Sequence, residues 1–171
     1  RAYGDQSGMT YSGIDANLAT QLFDFSNSVS LSINNVEGTS IESVLLANSV
    51  NSLEISDMVV SDSESVGLAM EASTSDTVII RDSIINGYGQ SFSFSGGGHF
   101  YLNSMAFLSN GKVGQISSSE LSISNGTWEG KSHGLDAQYS SINTFNTNIS
   151  VGENHGTALR ILGGDLSVNG D

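Results

Sequence analysis

The chain has 171 residues, with 18 Asp and Glu against five Lys and Arg, and a formal net charge of −13. That length suits one domain with its own core, and that charge excludes nucleic-acid recognition and docking on anionic lipid, both of which need a cationic face. With no Cys there is no disulfide, thiolate nucleophile or Cys-ligated metal, and no apolar run approaches the ~20 residues of a membrane span.

The predicted elements are short strands, and they recur. Residues 1–8 are polar and are expected to cap one end of the domain. From Met9 onward one pattern repeats: apolar, any residue, apolar, then two small or polar residues. It is seen at Met9 and Tyr11, Leu31 and Ile33, Leu53 and Ile55, and Val78 and Ile80. It continues at Tyr101 and Leu102, Leu121 and Ile123, Thr144 and Phe145, and Leu166 and Val168. Taking Tyr11, Ile33, Ile55, Ile80, Leu102, Ile123, Phe145 and Val168 as markers, successive steps are 22, 22, 25, 22, 21, 22 and 23 residues.

Each unit has a second apolar patch that begins 11 to 14 residues after its marker. These are Leu22, Phe23 and Phe25; Val44 and Leu46; Val66, Leu68 and Met70; Phe92 and Phe94; Val113 and Ile116; Leu135 and Ala137; and Leu159 and Ile161. A third apolar position follows some markers by about five residues, at Val60, Ile85, Phe107 and Trp128. Alternation of apolar and polar residues is the period of a half-buried strand, and no long segment carries a helical period. A unit of about 22 residues cannot bury a core alone, but stacked units can. The reading is an all-β parallel solenoid of about seven coils forming one domain over residues 1–171, with residues 166–171 opening an incomplete coil. A chain that stops so soon into a coil, and that begins with Arg1, is expected to be a segment of something longer or a subunit completed by a neighbour.

The pattern φ-x-φ followed by Asn, Asp or Ser, a polar turn, then Gly-φ-x-φ resembles the repeats of the pectate-lyase-like parallel β-helix superfamily. Leu121, Ile123 and Asn125 followed by Gly134, Leu135 and Ala137 illustrate it. The resemblance implies a right-handed, single-stranded β-helix. It leaves function open, because that superfamily contains lyases, hydrolases, adhesins, tailspikes and purely structural proteins.

The turn two residues after the marker holds Gly13, Asn35, Asp57, Asp82, Ser104, Asn125, Thr147 and Gly170. Such residues tolerate left-handed backbone and hydrogen-bond between stacked coils. Stacked Asp57 and Asp82 are also a candidate calcium site, although two carboxylates fall short of the ~6–8 oxygens that ion takes. His133 and His155, 22 residues apart, are a candidate metal pair; a turn-forming role is preferred because His99 falls out of register and a third ligand is missing. Asn125 and Asn148 open N-x-Ser/Thr sequons and are candidate glycosylation sites.

Hydrolases of the resembled superfamily imply paired Asp residues, a Gly-His-Gly stretch and an Arg-x-Lys stretch. Here Ser132-His133-Gly134 and Asn154-His155-Gly156 match only half of the His element, and neither has the other parts nearby. Arg81 beside Asp82 is the nearest approach to a reactive pair and is read as surface charge. Trp128, Phe92, Phe94 and Tyr139 suggest either a sugar-stacking platform or core filling, and their spacing favours the core. The expectation is therefore a non-catalytic structural or adhesive solenoid, secreted or on a cell surface. It would act as a stalk segment, or as a filament or sheath subunit associating end to end, with no cofactor unless calcium. The rival is a carbohydrate-active lyase or hydrolase, or a tailspike-like glycan binder.

Overall fold

The computed structural model describes residues 9–27, 30–62, 66–74, 76–152 and 156–169. The expected cap at residues 1–8, and residues 170–171 of the incomplete coil, lie outside them. Every regular element among the described residues is a strand. The first two coils are β1 (Met9–Ser26) and β2 (Leu31–Asn48), each a long strand that bends around the whole coil. The third coil is β3 (Ser52–Ser61) and β4 (Leu68–Ser73); the fourth is β5 (Thr77–Asn86) and β6 (Gln90–Ser95). The fifth is β7 (His99–Ser109) and β8 (Lys112–Ser117). The sixth divides into β9 (Glu120–Ser124), β10 (Thr127–Gly130) and β11 (His133–Gln138). The seventh divides into β12 (Ser141–Phe145), β13 (Asn148–Val151) and β14 (Thr157–Leu162), and β15 (Leu166–Asn169) opens an eighth.

All pairings are parallel and join each coil to the next, so the chain is a β-solenoid of about seven coils. Three ladders run along it. The first passes from the start of β1 through β2, β3, β5, β7, β9 and β12 to β15. The second uses the later halves of the long strands and ends in β10 and β13. The third runs from the ends of β1 and β2 through β4, β6, β8 and β11 to β14.

Register explains the repeat. Ile33, Ile55, Ile80, Leu102 and Ile123 stand one above another in the first ladder, and all are buried. Val60, Ile85, Phe107 and Trp128 form one inward column of the second. Two units depart from the sequence reading. In the fifth, Phe100 and Leu102 point inward and Tyr101 outward, so the first apolar residue is present after all. In the seventh, the inward pair is Ile142 and Thr144, and Phe145 lies outside. A one-residue slip exchanges the two faces of a strand, and here the neighbouring rungs set the register. The third ladder corrects another expectation: its inward columns run Phe23, Leu45, Met70, Phe92, Gly114, Leu135, Leu159 and Phe25, Ala47, Ala72, Phe94, Ile116, Ala137, Ile161. Leu46 faces outward, and Val66 is exposed outside the strands.

At the first corner, Gly13, Asn35, Asp57, Asp82, Ser104, Asn125 and Asn146 all have φ between 46° and 66°. Asn146 holds the place expected of Thr147, which follows from the register of Thr144. Left-handed backbone strains residues with a Cβ, and short polar side chains offset the strain by bonding locally. The Asn125 amide donates to Asn103 Oδ1 at 3.2 Å and accepts from Asn146 Nδ2 at 3.0 Å, tying three coils together. Asn125→Val is expected to destabilise the chain by ~1–2 kcal/mol in denaturant titrations, through the branched Cβ alone. Asn125→Gly should lose less than half of that, because glycine removes the strain even as it gives up the ladder bonds.

Candidate functional site

The sites expected from sequence fall on corners and outward columns. Asp57 and Asp82 occupy equivalent left-handed positions of the third and fourth coils. The Arg81 guanidinium donates to Asp82 Oδ2 at 3.1 Å and, through Nε and Nη2, to Glu54 Oε1 at 3.2 Å. Hydrogen bonds to Glu54 and then to Asp82 raise the guanidinium pKa above its ordinary value. Asp82 is thus half of an ion pair. Among the described residues no three His, Asp or Glu side chains come together in a way that could hold a metal ion.

His133 begins β11 on an exposed position, with Nδ1 3.1 Å from Ser132 Oγ. Its register partners are Lys112 below and Thr157 above. His155 lies outside the described residues. The sequon residues do come together: Asn125 and Asn148 are exposed and line one shallow groove of about 370 Å³ with Thr127 and Asn146. The Asn125 amide is already engaged in the corner ladder, whereas Asn148 starts β13 on its outward face.

The aromatic residues divide. Phe92, Phe94 and Trp128 fill the core, as their spacing favoured, together with Phe100 and Phe107. Phe94 stacks on Phe100 with centroids 4.5 Å apart, and Phe92 lies 4.7 Å from Phe94. Tyr139 is instead exposed, at a corner with φ of 51°. The outward aromatics of the first ladder are Tyr101 and Phe145: the repeat reading marked Leu102 correctly but set Tyr101 beside it in place of Phe100, and it marked Phe145 in place of Thr144.

One polar cluster escaped sequence reading. Asp136 is buried on β11, and Arg160 one coil above clamps it with two bonds, Nε to Oδ1 at 3.0 Å and Nη2 to Oδ2 at 2.6 Å. Lys112 Nζ approaches from the coil below at 3.8 Å. The Arg160 hydrogen bond holds the Asp136 carboxyl below its usual range, against the opposing effect of burial, and the charges of Lys112 and His133 add to it. The 24-residue spacing of Asp136 and Arg160 was the available signal, legible only once the register of β11 and β14 is known. A carboxylate so clamped joins coils and is poorly placed to move protons.

An open groove of about 930 Å³ lies at the second corner beside Leu18, Ser40, Glu42 and Leu68. A second groove, of about 350 Å³, lies on the first ladder between Tyr101 and Phe145. Compared with known proteins, the chain matches no family model, no curated sequence and no solved structure.

Proposed function

We propose that this chain is a non-catalytic structural or adhesive β-solenoid of an extracellular or cell-surface protein. It serves as a stalk segment, or as a filament or sheath subunit adding end to end. The reading takes the coils as right-handed and related to the pectate-lyase-like β-helices in their adhesin or filament form. One observation carries it: the terminal coils keep the inward columns of the middle ones while each has a strand edge without a partner among the described strands. β1 pairs only with β2, and β13, β14 and β15 pair only with the coil beneath. Open edges over apolar columns invite another coil, from the same chain or from a second copy.

Charge gives that addition a direction. Residues 1–98 hold twelve of the 18 acidic residues and two of the five basic ones. Two such ends repel each other, so head-to-tail addition is favoured over head-to-head. Arg81 and Asp136 spend their charges on ion pairs, which leaves neither set up for acid–base work.

Light scattering and negative-stain microscopy over a concentration series test the assembly. A filament subunit gives unbranched fibres one solenoid wide that lengthen with concentration, and Val168→Pro, which removes an N–H on the open edge of β15, shortens them. A stalk segment stays monomeric. Release of reducing ends or unsaturated products from polygalacturonate would overturn the non-catalytic reading in either case.

A further inference from the structure

Along the first ladder the outward side chains change character halfway. Over coils three and four they include Glu54 and Arg81; from coil five onward the charged side chains are confined to the column at the strand starts, where His99 Nδ1 meets Glu120 Oε2 at 2.9 Å. On the other outward columns stand Tyr101, 43% exposed, and Phe145, 55% exposed, two rungs apart on adjacent columns and so roughly 10 Å apart along the axis. Between and beside them lie Asn103, Ser122, Ser124 and Asn143.

Phe145 is the telling residue. The coil buries Thr144 and leaves the neighbouring phenyl ring outside. A coil selected only for stability would hold these two residues in the opposite order. A local choice that opposes the hydrophobic pattern marks a place where function outweighs packing. The polar groups around it are also poised. Asn103 Oδ1 accepts from Ser124 Oγ at 2.9 Å and from Asn125 Nδ2 at 3.2 Å, which fixes the amide plane. The Tyr101 hydroxyl, the Ser122 hydroxyl and the Asn143 amide make no hydrogen bond with any described residue.

We infer that the groove between Tyr101 and Phe145 is a binding subsite for an uncharged glycan. Aromatic rings offer flat apolar faces to the C–H side of a pyranose, and free amides and hydroxyls read its hydroxyl groups. The volume, about 350 Å³, is that of a small-ligand cleft. An acidic glycan would need cations, and none lines the groove. A peptide adding as a strand would need a free backbone edge, but β7, β9 and β12 are paired on both sides. The inference rests on the adhesive branch of the proposed function and gives it a ligand; it does not depend on end-to-end assembly.

Calorimetric titration of the whole chain with cellohexaose, xylohexaose, mannohexaose, laminarihexaose and hexagalacturonate tests it. At least one neutral hexaose should bind with Kd of about 1 mM or tighter, with little dependence on salt. Tyr101→Ala and Phe145→Ser should each weaken that binding about tenfold or more. Tyr139→Ser, at the far corner, should leave it unchanged. Circular dichroism melts of each variant separate loss of the site from loss of fold. No binding by any neutral hexaose, binding of hexagalacturonate alone, or full affinity in both groove variants would overturn the inference. Cleavage of a bound hexaose would instead overturn the non-catalytic reading and leave the subsite standing.

Discussion

Phe92→Ala should cost the chain ~3–5 kcal/mol, about the largest loss available to a single core truncation. Phe92 is buried where two ladders meet, 4.7 Å from Phe94, 5.4 Å from Phe107 and 5.5 Å from Trp128 between ring centroids. Among the described residues no other ring packs against as many aromatic neighbours. The rung above makes room for it: a Cβ at Gly114 would stand 2.1 Å from Phe92 Cζ. Gly114→Ala alone should therefore destabilise by ~1–3 kcal/mol through overpacking. Combined with Phe92→Ala, the added methyl enters the space the ring has left, so the double variant should be more stable than the sum of the single losses predicts. Additive losses in denaturant titrations would show that the two positions do not share space. Coils of a solenoid open semi-independently. Hydrogen exchange should consequently place the lost protection in coils four to six.

Alkaline pH should weaken the fold through one phenol. Tyr88 is fully buried and its hydroxyl has no hydrogen-bond partner among the described residues. Burial, assisted by the negative charge of Asp62, pushes its pKa well above the ordinary value of 10.0. The sign follows from proton binding. Above pH 10 the unfolded chain releases this proton and the native chain keeps it. The stability that Tyr88 contributes is thus whole below pH 10 and is lost as pH climbs toward the folded value, by about 1.4 kcal/mol per pH unit. Tyr88→Phe should abolish that slope. At neutral pH it should leave stability unchanged or raise it by up to ~1 kcal/mol, because an unsatisfied buried hydroxyl is removed. Urea titrations between pH 8 and 12 check both statements, and equal alkaline slopes in the two proteins would refute the assignment.

Much of the architecture was legible before any coordinates, because a solenoid repeats its environment. Ile33, Ile55 and Ile80 announce their column by spacing alone, and so do Val60, Ile85, Phe107 and Trp128. What was not legible was register within a unit. Phe145 reads as a core residue by its hydrophobicity; only the pairing of Thr144 with Ile123 and Val168 turns it outward. Leu45 and Leu46 are chemically equal in sequence, and the rungs of Phe23 and Met70 decide between them. The clamp on Asp136 was hidden for the same reason, since a 24-residue spacing means nothing until the length of the intervening corner is known. The candidate glycan groove arises where register and hydrophobicity disagree, so pattern reading alone passed over it.

The direction of the backbone bonds has a mechanical consequence. They lie parallel to the long axis and join only neighbouring coils. A pull on the two termini would load one interface at a time, like a zip opened from its end, and not all the ladders in shear. Each coil released would add ~75 Å of slack from its 22 or so residues before the next one took the strain. A stalk built in this way yields in instalments, absorbing a tug at its tip while the rest of its length keeps its form.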